Sequence, residues 1–199
     1  CFMGHAIITD HLRGKGQTED PMQGYLCRLT PDEFQELKAV LPQSMGGDEF
    51  IDRYGGTIDR VTHVEPEREY QIRSRTEHPV MENFRVECFR SLLESEGDLD
   101  QRMIQAGELM YDSHLSYSNC AGLGAPETDK IVELVSDKGA GRGLYGAKIT
   151  GGGSGGTVAV LCRNDTDDVI EEIASEYQHS IGIEAEVFAG SSPGACEAG

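Results

Sequence analysis

The chain has 199 residues, 38% of them hydrophobic, and a formal net charge of −18, which is enough for one domain or one domain with a helical subdomain and enough to bury a core. With 17 Lys and Arg against 35 Asp and Glu, spread thinly, the composition excludes a nucleic-acid binder, which needs clustered basic residues to displace counterions from phosphates. The same sign disfavours docking on an anionic membrane, but it leaves room for an anionic ligand held by backbone amides.

In chain order, residues 1–12 read as an amphipathic helix already under way at Cys1, with no capping residue before it. This predicts that an N-terminal part precedes the chain. Residues 14–23 read as a polar loop. Thr30-Pro31-Asp32-Glu33 starts a helix, with Thr as N-cap, Pro in the first turn and acids at the positive end of the dipole; it runs to about Leu41 and stops at Pro42. A short helix over 49–54 ends at Gly55-Gly56, and the charged, β-branched stretch 57–77 predicts one or two short strands. Pro79 opens a helix to about Leu93, with Met81, Phe84, Cys88 and Leu92 as its buried stripe. A further helix covers 99–117, with Met103, Ala106, Met110 and Tyr117 on one face. Gly122-Leu123-Gly124-Ala125-Pro126 breaks it, and a helix over 127–135 buries Ile131, Leu134 and Val135. Gly139–Gly143 reads as a flexible connector. Strands at 144–149 and 157–161 flank a glycine run. Thr166 caps a helix that buries Val169, Ile173 and Tyr177 and ends at Gly182, and 184–188 reads as a final strand. Helices followed by β-loop-β-α-β predict an α+β fold, an antiparallel sheet with helices on one face, ferredoxin-like in character. The division expected is a mainly helical 1–98 and a subdomain with the glycine run over 99–199.

Six cysteines stand at 1, 27, 88, 120, 162 and 196. None forms a C-x-x-C pair, which removes the usual zinc-ribbon and thioredoxin-like sites. No signal peptide and no long apolar run is present, so free thiols in a cytoplasmic protein are expected.

The segment Lys148-Ile149-Thr150-Gly151-Gly152-Gly153-Ser154-Gly155-Gly156-Thr157 carries the most information. Five glycines in six positions allow positive φ and close approach of another group, and successive amides can form an anion-binding concavity. Gly151, Gly153 and Gly156 satisfy G-x-G-x-x-G, yet a strand follows where a dinucleotide fingerprint needs a helix, and no Gly-Lys-Ser/Thr closes a P-loop. Taken alone, the loop is either a tightly packed hairpin turn or a phosphate cradle.

The run from Tyr145 through Val158 resembles the third conserved motif of the GHMP kinases. Gly107-Glu108-Leu109-Met110-Tyr111-Asp112-Ser113-His114-Leu115-Ser116 is similar to the galactokinase segment before that motif. Thr128-Asp129-Lys130-Ile131-Val132 fits the helix that follows this segment, and His78-Pro79-Val80-Met81-Glu82-Asn83-Phe84-Arg85 resembles the family's His…Glu…Arg helix. Ser116–Gly124, Tyr25–Leu29 and Gly190–Ala195 are similar to the L-arabinokinase branch rather than to galactokinases. The resemblance covers essentially the whole chain and implies the C-terminal domain of a sugar kinase that moves the γ-phosphoryl of Mg-ATP to the anomeric hydroxyl of a monosaccharide. It implies ATP and Mg as cofactors, the monosaccharide and the kinase's N-terminal half as partners, and no nucleic acid or membrane.

The residues carried over to the nucleotide site are Thr150, Gly151, Gly152, Gly153, Ser154, Gly155, Gly156 and Thr157. The family's N-terminal substrate motif and its Pro-x-x-x-Gly-Leu-Ser-Ser-Ser-Ala phosphate loop have no counterpart here, so no catalytic residue and no metal ligand is transferred, and the chain alone is expected to be inactive. A non-catalytic sugar and ATP sensor and an independent ferredoxin-like interaction module remain alternatives. His114, on an apolar helix face without a neighbouring ligand pattern, reads as a packed, hydrogen-bonded histidine. Glu82 and Arg85 read as a pair across one helical turn, and Asp165–Asp168 with Glu171-Glu172 as a solvated helix start.

Overall fold

Apolar residues at helical spacing place Met3, Ile7 and Ile8 of α1 (Phe2–Gly14) inside the fold. The computed structural model describes residues 1–190. At Gly4 the helix lies so close to its neighbour that an added Cβ would stand 1.8 Å from the Thr76 hydroxyl. α2 (Pro31–Leu37) begins in the capping box that its sequence announces: Glu33 N–H donates to Thr30 Oγ1 at 3.2 Å, and Thr30 N–H donates to the Glu33 carboxylate at 2.8 Å. The chain tightens into a 3-10 turn over Lys38–Val40. β1 (Ser44–Gly46) pairs antiparallel with β2 (Glu69–Gln71), and α3 (Gly47–Tyr54) ends on Gly55 with φ +75°.

Within the stretch expected to hold strands, only β2 is one. From Ile72 the chain is already helical, and α4 (Ile72–Glu94) carries Pro79 in its interior rather than at its start. Proline lacks an N–H and strands the carbonyl four residues back; that carbonyl, on Arg75, accepts a hydrogen bond from Cys1 Sγ at 2.9 Å. The predicted stripe also shifts. Ile72, Thr76 and Val80 are the buried positions of α4, whereas Phe84 is 47% exposed, and Met81, Cys88 and Leu92 are only half-buried. α4 packs on α1 and α5, and its buried positions fall in its first turns. With Phe34, Phe50, Met22 and Leu41, these elements enclose the first apolar core.

The second core belongs to the rest of the chain. α5 (Leu99–Ser116) is capped by Asp98, which accepts from Gln101 N–H at 3.0 Å. It ends in a π-helical turn over Tyr117–Ala121 and a left-handed Gly122. α6 (Pro126–Lys138) starts on its proline. The expected connector is a 3-10 turn over Ala140–Arg142. β3 (Leu144–Thr150) and β4 (Thr157–Cys162) form an antiparallel hairpin, with Ile149 opposite Val158 and Thr150 opposite Thr157. α7 (Asp167–Ile181) follows and buries Val169, Ile173 and Tyr177, as its sequence predicts. α5 and α6 pack on β3, and Val158, Val160 and Cys162 of β4 turn toward them while Thr157 and Ala159 stay exposed. The architecture is mixed α+β, helix-rich, with small antiparallel sheets.

Two local expectations are corrected. Thr166 sits before α7, but its hydroxyl donates to the Arg163 carbonyl at 2.8 Å instead of accepting from the helix. Residues 184–188 form no strand: among the described residues after the left-handed Gly182, Ala185 alone packs against the apolar core, and Val187 and Phe188 are exposed. Extended chain becomes a strand only where a neighbouring edge accepts its hydrogen bonds, and both described sheets have two strands. Of the terminal segment used in the L-arabinokinase resemblance, 191–195 lie outside the described residues. No helix among them is long and apolar enough to cross a membrane.

Candidate functional site

The glycine run forms the turn of the β3–β4 hairpin. Gly151, Gly153, Gly155 and Gly156 all have positive φ, and so does Ser154 at +61°. For a residue with a side chain that conformation costs on the order of 1–2 kcal/mol. It is held by a hydrogen bond from Ser154 N–H to the Leu123 carbonyl at 2.5 Å. The same approach explains Gly153, where a Cβ would lie 2.6 Å from Leu123 Cβ and 3.4 Å from Tyr117 Cδ1.

The two readings of the loop are thus divided between its residues. Gly153 and Ser154 are packed by the chain's own 117–123 turn. Gly151, Gly152 and Gly156 would meet nothing within 4 Å, and their amides have no backbone partner among the described residues. Unpaired, open amides fit the approach of an oxyanion. The Ser154 amide is committed to Leu123, so what that residue offers outward is its exposed side chain.

Below the loop lies a polar cluster between α4, α5 and β3. Glu82 accepts from Lys148 Nζ at 2.8 Å, from Arg85 at 3.1 Å and from the Ser113 hydroxyl. Burial raises its pKa, but these donors outweigh burial and leave the carboxyl below its ordinary value. Lys148 also lies 5.3 Å over the Tyr117 ring. His78 Nδ1 is 2.8 Å from Ser116 Oγ, and its ring meets Tyr117 edge-on at 4.9 Å. Burial, with the nearby cations Arg85, Lys148 and Arg75 adding to it against Glu82, lowers the His78 pKa. The expected Glu82–Arg85 pair is present. The roles of Arg75, Ser113, Tyr117 and Lys148 were not foreseen, although Arg75, His78, Glu82 and Arg85 recur at spacings of three and four and so share one helix face.

His114 is packed and hydrogen-bonded as expected, 5% exposed. Its Nδ1 accepts from Ile149 N–H at 3.3 Å, so the other ring nitrogen carries the proton and Nε2 faces Asp129 Oδ1 at 3.2 Å. Burial lowers its pKa, against the pull of Asp129. The acidic start of α7 is more than a solvated face: Glu172 binds Lys138 at 2.6 Å and Arg142 at 3.0 Å, tying α7 to α6. Among the described residues no group of three or more His, Cys, Asp or Glu side chains is placed to hold a metal ion.

Residues 89–179, from the end of α4 through α7, match the family model described as GHMP kinases C terminal. An L-arabinokinase of Arabidopsis thaliana is 42% identical over 183 residues, which is 86% of this chain and 17% of that protein. A galactokinase of Bacillus subtilis (strain 168) is 31% identical over 117 residues, 58% of this chain and 28% of that one. The crystal structure of Lactococcus lactis galactokinase complexed with galactose superposes with a TM-score of 0.58 at 17% identity, covering 91% of this chain and 37% of that chain. That likeness speaks for the fold. The chain spans well under half the length of each of these relatives.

Proposed function

The chain carries a GHMP kinase C-terminal domain, and on that footing we propose that it is part of an ATP-dependent sugar 1-kinase that transfers the γ-phosphoryl of ATP to the anomeric hydroxyl of a monosaccharide. The observation that carries this reading is the loop between β3 and β4, which lies within the matched residues and presents the open, unpaired amides of Gly151, Gly152 and Gly156. Phosphoryl transfer asks a protein for positioning and for stabilisation of developing charge rather than for covalent chemistry. Residues Thr150–Thr157 would line the phosphate end of the nucleotide, with Gly153 and Ser154 fixing the loop from behind. ATP supplies the transferred group. In this reading Mg²⁺ is held chiefly by the nucleotide phosphates with one or two carboxylates of the kinase.

The test is phosphoryl transfer from Mg-ATP to L-arabinose, galactose and a small sugar panel, with the full-length protein and residues 1–199 in parallel. Transfer to a sugar by the full-length protein alone is the expected result and names the substrate. Transfer by residues 1–199 would place catalytic residues inside this chain. Binding of ATP and sugar without transfer would replace the kinase reading with a sensor.

A further inference from the structure

The glycine loop does not reach α4, yet α4 governs it through one intermediate. Gly153 and Ser154 rest on Tyr117 and Leu123. The turn that holds those two residues is π-helical, a form rare in proteins and frequent beside functional sites. Within it, the Gly122 and Leu123 N–H groups both donate to the Tyr117 carbonyl, the latter at 2.9 Å.

Helix α4 anchors the turn from outside. The Arg75 guanidinium donates to the Cys120 carbonyl and lies against Gly122, where a Cβ would meet Nη2 at 2.1 Å. One turn further, His78 bonds Ser116 at 2.8 Å and stacks edge-on against Tyr117. Both residues sit on the polar face that α4 turns toward α5, and neither touches the loop.

We propose that Arg75 and His78 are positioning residues for the nucleotide site: they hold the 116–123 turn, the turn holds Gly153 and Ser154, and the loop keeps its amide-presenting shape only while that chain of contacts is intact. The proposal rests on the nucleotide reading of the loop.

The experiment uses the full-length protein with His78→Leu, which deletes the hydrogen bond, and His78→Asn, whose amide can replace Nδ1. Two readouts are taken: amide hydrogen exchange over 151–156 with 167–181 as internal reference, and steady-state kinetics against ATP and against the sugar. The expected result for H78L is faster exchange confined to the loop and its supporting turn. The KM for ATP rises about tenfold with the sugar KM within about twofold, since small displacements of a positioned group carry effects of this order or larger. H78N restores both. If H78L does not fold, Ser116→Ala removes the same bond. Unchanged exchange over 151–156 overturns the proposal, as does exchange that rises equally in α7, or a faster loop with unchanged ATP kinetics. A wild-type protein that binds no nucleotide would sink the functional reading, and the exchange arm would then decide the mechanical link by itself.

Discussion

Gly153 and Gly152 are neighbours with opposite constraints. At Gly153 the backbone has φ +78° and a Cβ would stand only 2.6 Å from Leu123 Cβ and 2.7 Å from its carbonyl oxygen. At Gly152 there is open space, and φ is not in the left-handed region. On the nucleotide reading, Gly153→Val should therefore push the loop off its turn and lower kcat/KM for ATP tenfold or more in the full-length protein, about 1.4 kcal/mol or above, while Gly152→Ala leaves the melting temperature unchanged. Wild-type kinetics in a folded G153V protein would remove the loop from the nucleotide site.

His114 carries a second prediction at this scale. Its pKa is lowered in the folded state, so between that value and the ordinary 6.5 the unfolded chain binds more protons than the native one. Stability is therefore fully present above the ordinary value and falls as pH drops through the folded one. Protonation would put a hydrogen on Nδ1, which now accepts from Ile149 N–H. The groups facing the ring are Asp129 from α6 and Lys148 from β3. His114→Gln should flatten the loss of unfolding free energy between pH 7.5 and 5.5, read from urea denaturation at each pH. Part of the slope should remain, because the His78 pKa is shifted in the same direction. An unchanged slope would mean that His114 keeps its proton balance on unfolding.

Among the elements, α5 and β3 come into direct backbone contact. A Cβ on Gly107 would stand 1.8 Å from the Tyr145 carbonyl oxygen, and one on Gly146 would stand 2.4 Å from Gly107 Cα, so helix and strand backbones touch. Gly107→Ala gains helix propensity of about 1 kcal/mol but must separate the two elements, an overpacking cost of about 1–3 kcal/mol or more. The expected net result is a lower melting temperature, and a rise would mean that α5 stands farther from β3. This contact was not legible beforehand, because Gly107 inside a helical pattern gives no sign of what faces it. What was legible depended on local chemistry: the Thr30–Glu33 capping box and the stripe of α7 need only neighbours in sequence. The failures arose where distant partners decide. The start of α4 could not be read past Pro79 without the Cys1 thiol that serves the stranded carbonyl, the exposure of Phe84 reflects missing cover, and 184–188 has strand-like alternation but pairs with neither described sheet. In the candidate site the loop was visible as a glycine run, whereas the turn beneath it was hidden because its anchors, Arg75 and His78, lie about forty residues upstream.

Across the whole molecule, the apolar residues fall into two clusters rather than one. The first joins α1, α2, α3 and the opening turns of α4; the second joins α6, α7 and the β3–β4 hairpin. Much of what links them runs along the seam of α4 and α5, where Glu82 meets Ser113, His78 meets Ser116 and the Arg102 guanidinium donates to the Leu92 carbonyl at 3.1 Å. Such bonds contribute only about 1 kcal/mol each in net terms, far less than either core gains by excluding water, so the seam should yield before the cores do. Ile173→Ala, which empties a buried site in the second cluster at a cost of about 2–5 kcal/mol, should raise amide exchange in α6, α7 and the hairpin and leave α1 and α3 protected. Phe50→Ala should do the reverse, and denaturant unfolding followed by probes in each half should give non-coincident transitions. If either substitution lowers protection equally in both halves, the polar seam couples the cores into one cooperative unit, and a disturbance at His78 would then reach the glycine loop through global unfolding rather than through the turn that carries it.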